Sequence, residues 1–464
     1  MNAAAVVTRF APSPTGELHL GNVRTALFNL LLARRLGGRF VLRIEDTDAA
    51  RTSPAHLRAL EEDLRWLGID WDEGPGRDAP YGPYRQSERQ GLYAPLLARL
   101  EAEDRAYPCY CSSAELELSR RAQLAAGRPP RYAGTCAQLD GAARAERLAA
   151  GARPALRFRI PPGRHLHFDD LVHGPQQVDA GLIGDFVIRR EDGTPAFFFA
   201  NAVDDSLMQV TQVLRGEDHL ANTPRQLLVL EALGLRAPRY GHLPLLTGAD
   251  GTPLSKRNGA QSVRELREAG YGALAICNQL FRLGHSCADN GSLSLAEMAA
   301  RFEPGRLQRA SAHFDPVQLR HWQGLWVRSL EPAAAQAWLA AYLPPTAPPA
   351  QRAAAVTALL PNIVAAGEIA EWLPVVFGGE LHWDSDARAA VESAGADFFR
   401  ATAAAVTDNA ELATLRAASG RQGAAFFAPL RAALTGRLHG PELAPLLRAM
   451  RPSLVRERLA AWAG

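Results

Sequence analysis

Two short segments far apart in the chain carry residue types suited to binding a triphosphate. The first, residues 8–22, runs from an apolar stretch through a Pro/Gly-rich loop to His19, and we predict that a helix begins near Leu20. Phosphate binds readily at a helix N-terminus, where backbone N–H groups lack partners. The second segment, residues 253–259, places a Ser-Lys-Arg string in a polar loop that could close over a triphosphate. The two segments predict two halves of one ATP site.

Longer strings extend this pattern. They are FAPSPTG at 10–16, RIEDTD at 43–48, GPYRQSER at 82–89, VDD at 203–205 and LRGED at 214–218. With the two loops they resemble the class I aminoacyl-tRNA synthetases and, among these, the bacterial-type glutamyl-tRNA synthetases. Each piece alone arises by chance, but their order and their strand-loop-helix context are specific. The resemblance covers nearly the whole chain, densely to about Gly284.

The resemblance implies which residues handle ATP. The implied catalytic residues are His19, Ser255 and Lys256, and the implied ATP-binding residues are Pro12, Gly16, His19, Gly21, Asn22, Ser255, Lys256 and Arg257. In the implied reaction a substrate carboxylate attacks the α-phosphorus of ATP and expels pyrophosphate, and a terminal hydroxyl of tRNA then attacks the mixed anhydride. A carboxylate is already a nucleophile, so alignment and charge stabilisation suffice. We expect Mg²⁺ to arrive chiefly on the phosphates of ATP.

Glutamate brings an ammonium and two carboxylates, so its pocket needs arginine for the side-chain acid and an acidic group for the ammonium. Matched to the family, the implied glutamate-binding residues are Arg9, Ser13, Glu45, Phe197, Asn201 and Arg215, with Arg9 and Arg215 as the clamp for the side-chain carboxylate. Plain structural interpretations also exist: Arg9 as an exposed strand charge, Glu45 as its ion-pair partner and Asn201 as a turn cap. These residues are predicted to cluster at the carboxyl ends of strands, where ligands bind in this type of fold, and this favours a ligand-binding role for them.

Three cysteines and a tyrosine resemble the zinc knuckle of bacterial members and of the glutamyl-queuosine branch. They are Cys109, Cys111, Tyr132 and Cys136. Many full-length members have a histidine where this chain has Gln138, and three thiolates with a phenol make a weaker site than four good ligands. Two interpretations therefore stay open, a structural Zn²⁺ site and three partly buried free thiols.

Clustered carboxylates at 45–48 and 204–205 invite a magnesium interpretation. For Asp46 and Asp48 we favour capping or ion pairing, because they follow a buried strand and precede a helix start.

Three positions depart from the family. Pro253 stands where the second loop usually has lysine, and Phe197 stands where the amino-acid pocket commonly has tyrosine. Ile363 aligns loosely with an arginine that contacts the last anticodon base, which leaves discrimination between glutamate and glutamine tRNAs open.

The composition is that of a globular chain too long for one core. Its 464 residues are 47% hydrophobic and 22% charged, which favours about three domains. No stretch reaches the ~20 apolar residues of a membrane span, the N-terminal apolar run is short for a secretory signal, and five cysteines do not suggest a disulfide framework. We expect a cytoplasmic monomer without membrane contact.

The region 415–464 carries eight arginines against two glutamates. This excess of positive charge is typical of a nucleic-acid footprint, although a solvated helical face explains it equally well. The expected partner is a glutamate-accepting tRNA.

Alternating runs predict an α/β Rossmann-type catalytic domain that is split by an insertion and followed by an all-α end. The resemblance implies that the insertion is an α+β acceptor-binding domain and that the all-α end binds the anticodon. The predicted divisions are 1–97 for the first catalytic half, 98–195 for the insertion, 196–258 for the second half, 259–335 for a helical stem-contact region and 336–464 for the anticodon-binding region. In the second half we predict strands at 197–201, 209–214 and 243–246, around a helix at 223–233.

The sequence thus favours ATP-dependent attachment of glutamate to tRNA(Glu) through a glutamyl-adenylate, releasing AMP and pyrophosphate. Charging of tRNA(Gln) as well, a small-molecule nucleotidyltransferase that shares the His-x-Gly loop, and an RNA-binding paralogue without catalysis remain as alternatives. The shortened branch that glutamylates queuosine lacks the C-terminal domain, so the roughly 180 residues of helical chain after Gly284 argue against it.

Overall fold

A computed structural model of the protein describes residues 5–48, 52–77, 79–248, 250–254, 261–407 and 411–464. The chain divides into two compact units. One comprises Met1–Arg264 and Cys277–Asp315, and the other comprises Glu265–Ile276 and Pro316–Gly464.

The first unit alternates strands with helices. Its elements are β1 (Val7–Phe10), α1 (Leu20–Arg35), β2 (Arg39–Leu42), α2 (Pro54–Trp66), α3 (Gln90–Ala102), β3 (Ala106–Cys109), α4 (Ser113–Ala125), α5 (Gly141–Ala149), β4 (Ala155–Phe158), β5 (His165–Asp170), β6 (Gly174–Asp179), β7 (Phe186–Arg189), α6 (Phe197–Leu207), β8 (Gln212–Gly216), α7 (Thr223–Ala232), β9 (Arg239–Leu243) and β10 (Leu246–Thr247). The boundaries between the two units fall inside α8 (Val263–Glu268) and α9 (Ala273–Arg282). The following elements, α10 (Leu295–Arg301) and β11 (Ala312–His313), belong to the first unit.

Parallel strands form the centre of the first unit. β1 pairs in parallel with β2, and β8 pairs in parallel with β9. The N–H of Thr211 donates to the carbonyl of Val7 at 2.8 Å, so β1 lies beside β8 and the order is β2-β1-β8-β9. Parallel neighbours need crossover connections, and α1 supplies the one between β1 and β2. The carboxyl ends of these strands therefore meet at one edge of the sheet.

Burial and close approach explain why β1 and β2 hold their register. All four residues of β1 are buried, as in a parallel strand covered on both faces. At the turn between α1 and β2, a Cβ on Gly38 would collide with the carbonyl oxygen of Val6. That carbonyl accepts the N–H of Arg39 at 2.8 Å, so only glycine allows the two strands to start side by side.

Residues 98–195 contain antiparallel structure. β3, β4 and β7 form one sheet in which β4 is central, and β5 pairs with β6 as a hairpin. The hairpin is tied to the central strands, because the N–H of Leu171 donates to the carbonyl of Tyr240 in β9 at 2.8 Å.

In the part of the second unit that the structure describes, the secondary structure is helical. Beyond α8 and α9 its helices are α11 (Pro316–Arg328), α12 (Pro332–Leu339), α13 (Pro349–Leu359), α14 (Leu373–Phe377), α15 (Ser385–Ala394), α16 (Ala396–Ala404), α17 (Leu412–Ser419), α18 (Ala424–Thr435), α19 (Leu443–Ala449) and α20 (Pro452–Ala460). They enclose one apolar core that includes Leu339, Phe399 and Leu434. A parallel α/β region followed by a helical C-terminal region is confirmed.

One strand prediction is wrong and two are partly right. Residues 197–201 are the start of the 11-residue helix α6, in which residues 199–206 are all buried. An aromatic run favours a strand by propensity alone, but a helix that is covered on all sides buries the same apolar residues. The strand predicted at 243–246 is interrupted, because Leu243 ends β9 and Leu246 begins β10, and the strand predicted at 209–214 begins only at Gln212. None of the helices among the described residues combines the length and the apolar character needed to cross a bilayer.

Candidate active site

A cavity of about 560 Å³ lies at the carboxyl ends of β1 and β8, within the size range of small-molecule sites. It is lined by ten of the predicted site residues, namely Arg9, Pro12, Ser13, His19, Gly21, Asn22, Glu45, Phe197, Asn201 and Arg215. Gly16 is not among its lining residues. Ser255, Lys256 and Arg257 lie outside the described residues.

His19 stands at the first turn of α1. Its Nδ1 accepts the N–H of Asn22 at 3.4 Å, which caps the helix and leaves the ring proton on Nε2. Burial lowers the pKa of His19, so the imidazole is neutral at neutral pH. A Cβ on Gly21 would approach the His19 ring to 3.2 Å, so glycine leaves room for it. His19 thus offers an N–H donor beside free helix N–H groups.

Both flanks of the segment 255–260 lie next to the cavity. On one side, Leu254 donates its N–H to the carbonyl of Leu246, a lining residue, at 2.8 Å. On the other side, Ser262 forms an antiparallel bridge with His19, and Val263 donates to the carbonyl of Leu18 at 3.0 Å. The two sequence segments that predicted an ATP site are therefore neighbours in space where the structure describes them.

Arg9 is 3% exposed, which rules out the interpretation as an exposed strand charge. Its Nε and Nη2 donate to the two carboxylate oxygens of Asp205 at 3.2 and 3.3 Å. Asp205 also accepts from Nη1 of Arg43 at 2.6 Å. Asp205 thus holds Arg9 at the cavity wall by a fork of two hydrogen bonds.

Glu45 pairs with Arg43 rather than with Arg9, which corrects the plain interpretation. It accepts from Nη2 of Arg43 at 3.1 Å and, by a short hydrogen bond, from Nδ2 of Asn201. Asn201 lies inside α6 and caps no turn. Burial raises the pKa of Glu45 although Arg43 and Arg9 oppose the shift. A cation entering the cavity, such as a substrate ammonium, would favour the ionised carboxylate.

Arg215 lies in β8 and is 4% exposed. Its Nε donates to Nε2 of His242 at 3.1 Å, and its Nη2 donates to Thr223 at 2.8 Å and to Gln226 at 2.6 Å. Among the described residues its buried Nη1 has no partner. Burial lowers the pKa of Arg215 to about 10. A buried guanidinium with a spare donor is a natural partner for a carboxylate.

The sequence reasoning missed several lining residues. Asp218, His219 and Asn222 belong to the turn that follows β8 and line the cavity. The ring of His219 lies against Phe197 with 5.5 Å between centroids, and burial lowers its pKa to about 4. The signal was present, because these residues directly follow or end the string at 214–218.

The carboxylate clusters are occupied by protein donors. Asp204 accepts from Arg89 at 2.7 Å, from Gln86 at 2.9 Å and from Tyr93 at 2.7 Å. Asp46 accepts the N–H and the hydroxyl of Ser87, both at 2.8 Å. Hydrogen bonds and ion pairs with protein groups thus engage Asp46, Asp204 and Asp205, as the ion-pair interpretation predicts for Asp46.

The cysteine cluster assembles away from this cavity. The sulfur atoms of Cys109, Cys111 and Cys136 lie within 4.8 Å of one another. The Tyr132 hydroxyl lies 3.5 Å from both Cys109 and Cys111. Tetrahedral Zn–S bonds of 2.3 Å separate sulfurs by about 3.8 Å, and the Cys111 and Cys136 sulfurs are 3.6 Å apart. The donor set fits a zinc ion.

Comparison with known proteins identifies the class. The family model described as tRNA synthetases class I (E and Q), catalytic domain, matches residues 5–321. Since this is most of the chain, the protein belongs to that family.

Relatives narrow the comparison to one member of the class. Glutamate–tRNA ligase 2 of Nitrosococcus oceani is 53% identical over 464 residues, with 99% of this chain and 98% of the relative covered. Glutamate–tRNA ligase 1 of Halorhodospira halophila is 52% identical, with 99% and 97% covered. The crystal structure of a glutamate–tRNA synthetase from Elizabethkingia anophelis matches with a TM-score of 0.89 at 28% identity, covering 99% of each chain.

Proposed function

We propose that this protein attaches glutamate to tRNA(Glu) at the expense of ATP, through a glutamyl-adenylate. The observation that carries the proposal is one cavity that holds an anion-binding helix start, an acidic group and three buried arginines, Arg9, Arg24 and Arg215. Those groups match the phosphates, the ammonium and the side-chain carboxylate of the substrates. Ligases of the same name that are about half identical over nearly the full length support it.

In the first step the α-carboxylate of glutamate attacks the α-phosphorus of ATP. A new O–P bond forms and the bond to pyrophosphate breaks. Nε2 of His19 donates to phosphate oxygens, and the α1 N-terminus favours their charge. Lys256 and Arg257, with Ser255, add cationic and hydroxyl contacts from the second loop. Mg²⁺ arrives on the phosphates of ATP and shields their charge.

Glutamate itself is oriented by the other wall of the cavity. Glu45 and Asn201 receive the ammonium, and Arg9 with Arg215 clamp the side-chain carboxylate. Ser13 and Phe197 complete the pocket. In the second step a terminal hydroxyl of tRNA attacks the activated carbonyl, and AMP leaves as the C–O bond to phosphate breaks. The phosphate group of the departing AMP accepts the hydroxyl proton.

We assign the rest of the chain to tRNA. Residues 98–195 bind the acceptor end, residues 259–335 contact the stem and residues 336–464 bind the anticodon, while 1–97 and 196–258 form the catalytic domain. The thiols of Cys109, Cys111 and Cys136 with the Tyr132 phenol hold one structural Zn²⁺, which would fix the fold around β3. We place the enzyme in the cytoplasm as a monomer.

Labelled glutamate, ATP and purified glutamate and glutamine tRNAs test the proposal. The native protein should charge tRNA(Glu), and Lys256→Ala should lower kcat roughly 100-fold or more, because the proposal assigns to this cation the stabilisation of charge on the transferring phosphate. Pro253→Ala is the matched control on the same loop and should stay within about threefold, because it changes no charge. Charging of neither tRNA would favour a small-molecule nucleotidyltransferase.

The same assay addresses tRNA choice. Ile363 is 3% exposed and belongs to the apolar core of the second unit, so its side chain does not face a nucleotide. Equal charging of tRNA(Gln) would identify a non-discriminating enzyme, which the named relatives do not favour.

A further inference from the structure

Two of the three arginines at the cavity wall, Arg9 and Arg215, are held in different ways. Arg9 and Arg43 both donate to Asp205, and Arg43 also donates to Glu45, so two cations face two carboxylates. Arg215 donates to an imidazole, a hydroxyl and an amide oxygen. Within the described chain no carboxylate is among its hydrogen-bond partners. Arg215 is therefore a buried cation of this wall that no carboxylate holds directly, and Asp205 and Glu45 act on its charge only through space.

The imidazole is itself oriented. Nδ1 of His242 lies 2.5 Å from a carboxylate oxygen of Asp170, so the ring proton is on Nδ1 and Nε2 is left as an acceptor. The other oxygen of Asp170 accepts the N–H groups of Val172 at 2.9 Å and His173 at 2.8 Å. Burial lowers the pKa of His242, which keeps the ring neutral at neutral pH.

We propose that His242, Thr223 and Gln226 are positioning residues that fix Arg215 through neutral acceptors and so reserve its charge for the side-chain carboxylate of the substrate. This inference rests on the proposed function. A carboxylate in any of these places would hold the guanidinium equally well, but it would also neutralise it and compete with the substrate acid. The three neutral acceptors therefore orient the Arg215 guanidinium without neutralising the charge that binds the substrate carboxylate.

Substitutions at Gln226 separate this idea from a structural role. Both substitutions remove the Nε2 donor of Gln226, which bonds to Oδ1 of Asn201 at 2.7 Å. Gln226→Glu keeps the size and the acceptor oxygen but adds a charge, whereas Gln226→Leu removes the acceptor and adds no charge. We expect Gln226→Glu to raise the KM for glutamate roughly 10- to 100-fold, as expected for losing a charge-assisted contact. Gln226→Leu should raise it only about threefold, since two acceptors remain. The KM values for ATP and tRNA should stay unchanged in both.

If Gln226 had a purely structural role, Gln226→Leu would raise the KM for glutamate more than Gln226→Glu. That result would overturn the inference. Equal KM values for the two variants would do the same. Failure of the native protein to charge any tRNA with glutamate would instead defeat the proposed function, so the two failures are distinguishable.

His242 provides a second test should Gln226→Glu not fold. His242→Gln restores a neutral acceptor and should keep the KM for glutamate within about threefold, whereas His242→Phe should raise it about tenfold or more. His285→Phe is the matched control, because His285 is another buried neutral histidine, packed against Phe281 and Phe302, and it does not line the cavity. An unchanged KM in His242→Phe would contradict the inference.

Discussion

At the scale of single residues, the partner of a buried charge decides what that charge can do. Arg43 is fully buried and is surrounded by Asp205 and Glu45, so it serves the fold and organises the cavity wall. Arg215 is buried as deeply but is held by neutral groups, so it has charge to offer a ligand. Residue type alone does not distinguish these two roles.

The Phe197 position gives a residue-scale prediction. Phe197 lines the cavity where the family commonly has tyrosine, so Phe197→Tyr should restore a hydroxyl donor and lower the KM for glutamate about 3- to 10-fold. Steady-state charging at varied glutamate measures this. Phe427→Tyr, at an exposed phenylalanine of the second unit, is the control and should change nothing. A KM that stays the same or rises in Phe197→Tyr would show that the missing hydroxyl has no role in binding.

At the scale of elements, the site depends on β1, β2 and α6 being held in register. β1 supplies Arg9, the residues after β2 supply Glu45, and α6 supplies both Asn201 and the two aspartates that anchor the wall. A shift of one strand by a residue would move its side chains to the other face of the sheet. Features that fix the strand starts therefore matter for catalysis although they lie outside the cavity.

Two adjacent glycines test this dependence. Gly38→Ala should destabilise the first unit by about 3 kcal/mol or more, because its Cβ collides with the Val6 carbonyl. Gly37→Ala should cost only about 1–2 kcal/mol, the penalty of a positive φ, since open space surrounds Gly37. Urea unfolding of the two variants gives the comparison. Equal stabilities would mean that the turn can move aside and that Gly38 does not set the register.

At the scale of the whole molecule, the arginines of the C-terminal region differ in burial and in hydrogen-bond partners, which the composition of the region does not indicate. Arg458 is 8% exposed and donates to the carbonyls of Pro374, Val375 and Leu434. Other arginines of this region also bind carbonyls or carboxylates of the second unit. Arg448 and Arg451 are exposed. Only part of the excess positive charge is therefore available to a polyanion.

Charge reversal separates the two kinds of arginine. Arg448→Glu with Arg451→Glu should raise the KM for tRNA roughly tenfold at low salt and flatten its salt dependence, because fewer counterions are released on binding. Arg458→Met should lower the stability of the second unit by about 2–4 kcal/mol while leaving the KM for tRNA within about twofold. Charging assays at several salt concentrations and thermal melts measure both. An unaltered tRNA KM in the double variant would place the footprint elsewhere.

The sequence by itself determined the alternation of strands and helices around β1 and β2 and the helical end. Local patterns suffice for these, because a buried parallel strand and a helix start each leave a signature within a few residues. Short apolar runs carry no such signature, so the sequence did not distinguish α6 from a strand. Its tertiary packing decided that it is a helix. The residues that meet at the cavity were predicted from the resemblance of their strings to a family.

Only the tertiary structure decided which partner each charge has. Arg9 is paired with a residue 196 positions away. Arg215 is held by neutral groups of β9 and α7, and His242 of β9 is itself oriented by the Asp170 carboxylate at the end of β5. No local pattern encodes such contacts, because they follow from how whole elements pack. Packing therefore decided which buried arginines have carboxylate partners and which have neutral ones.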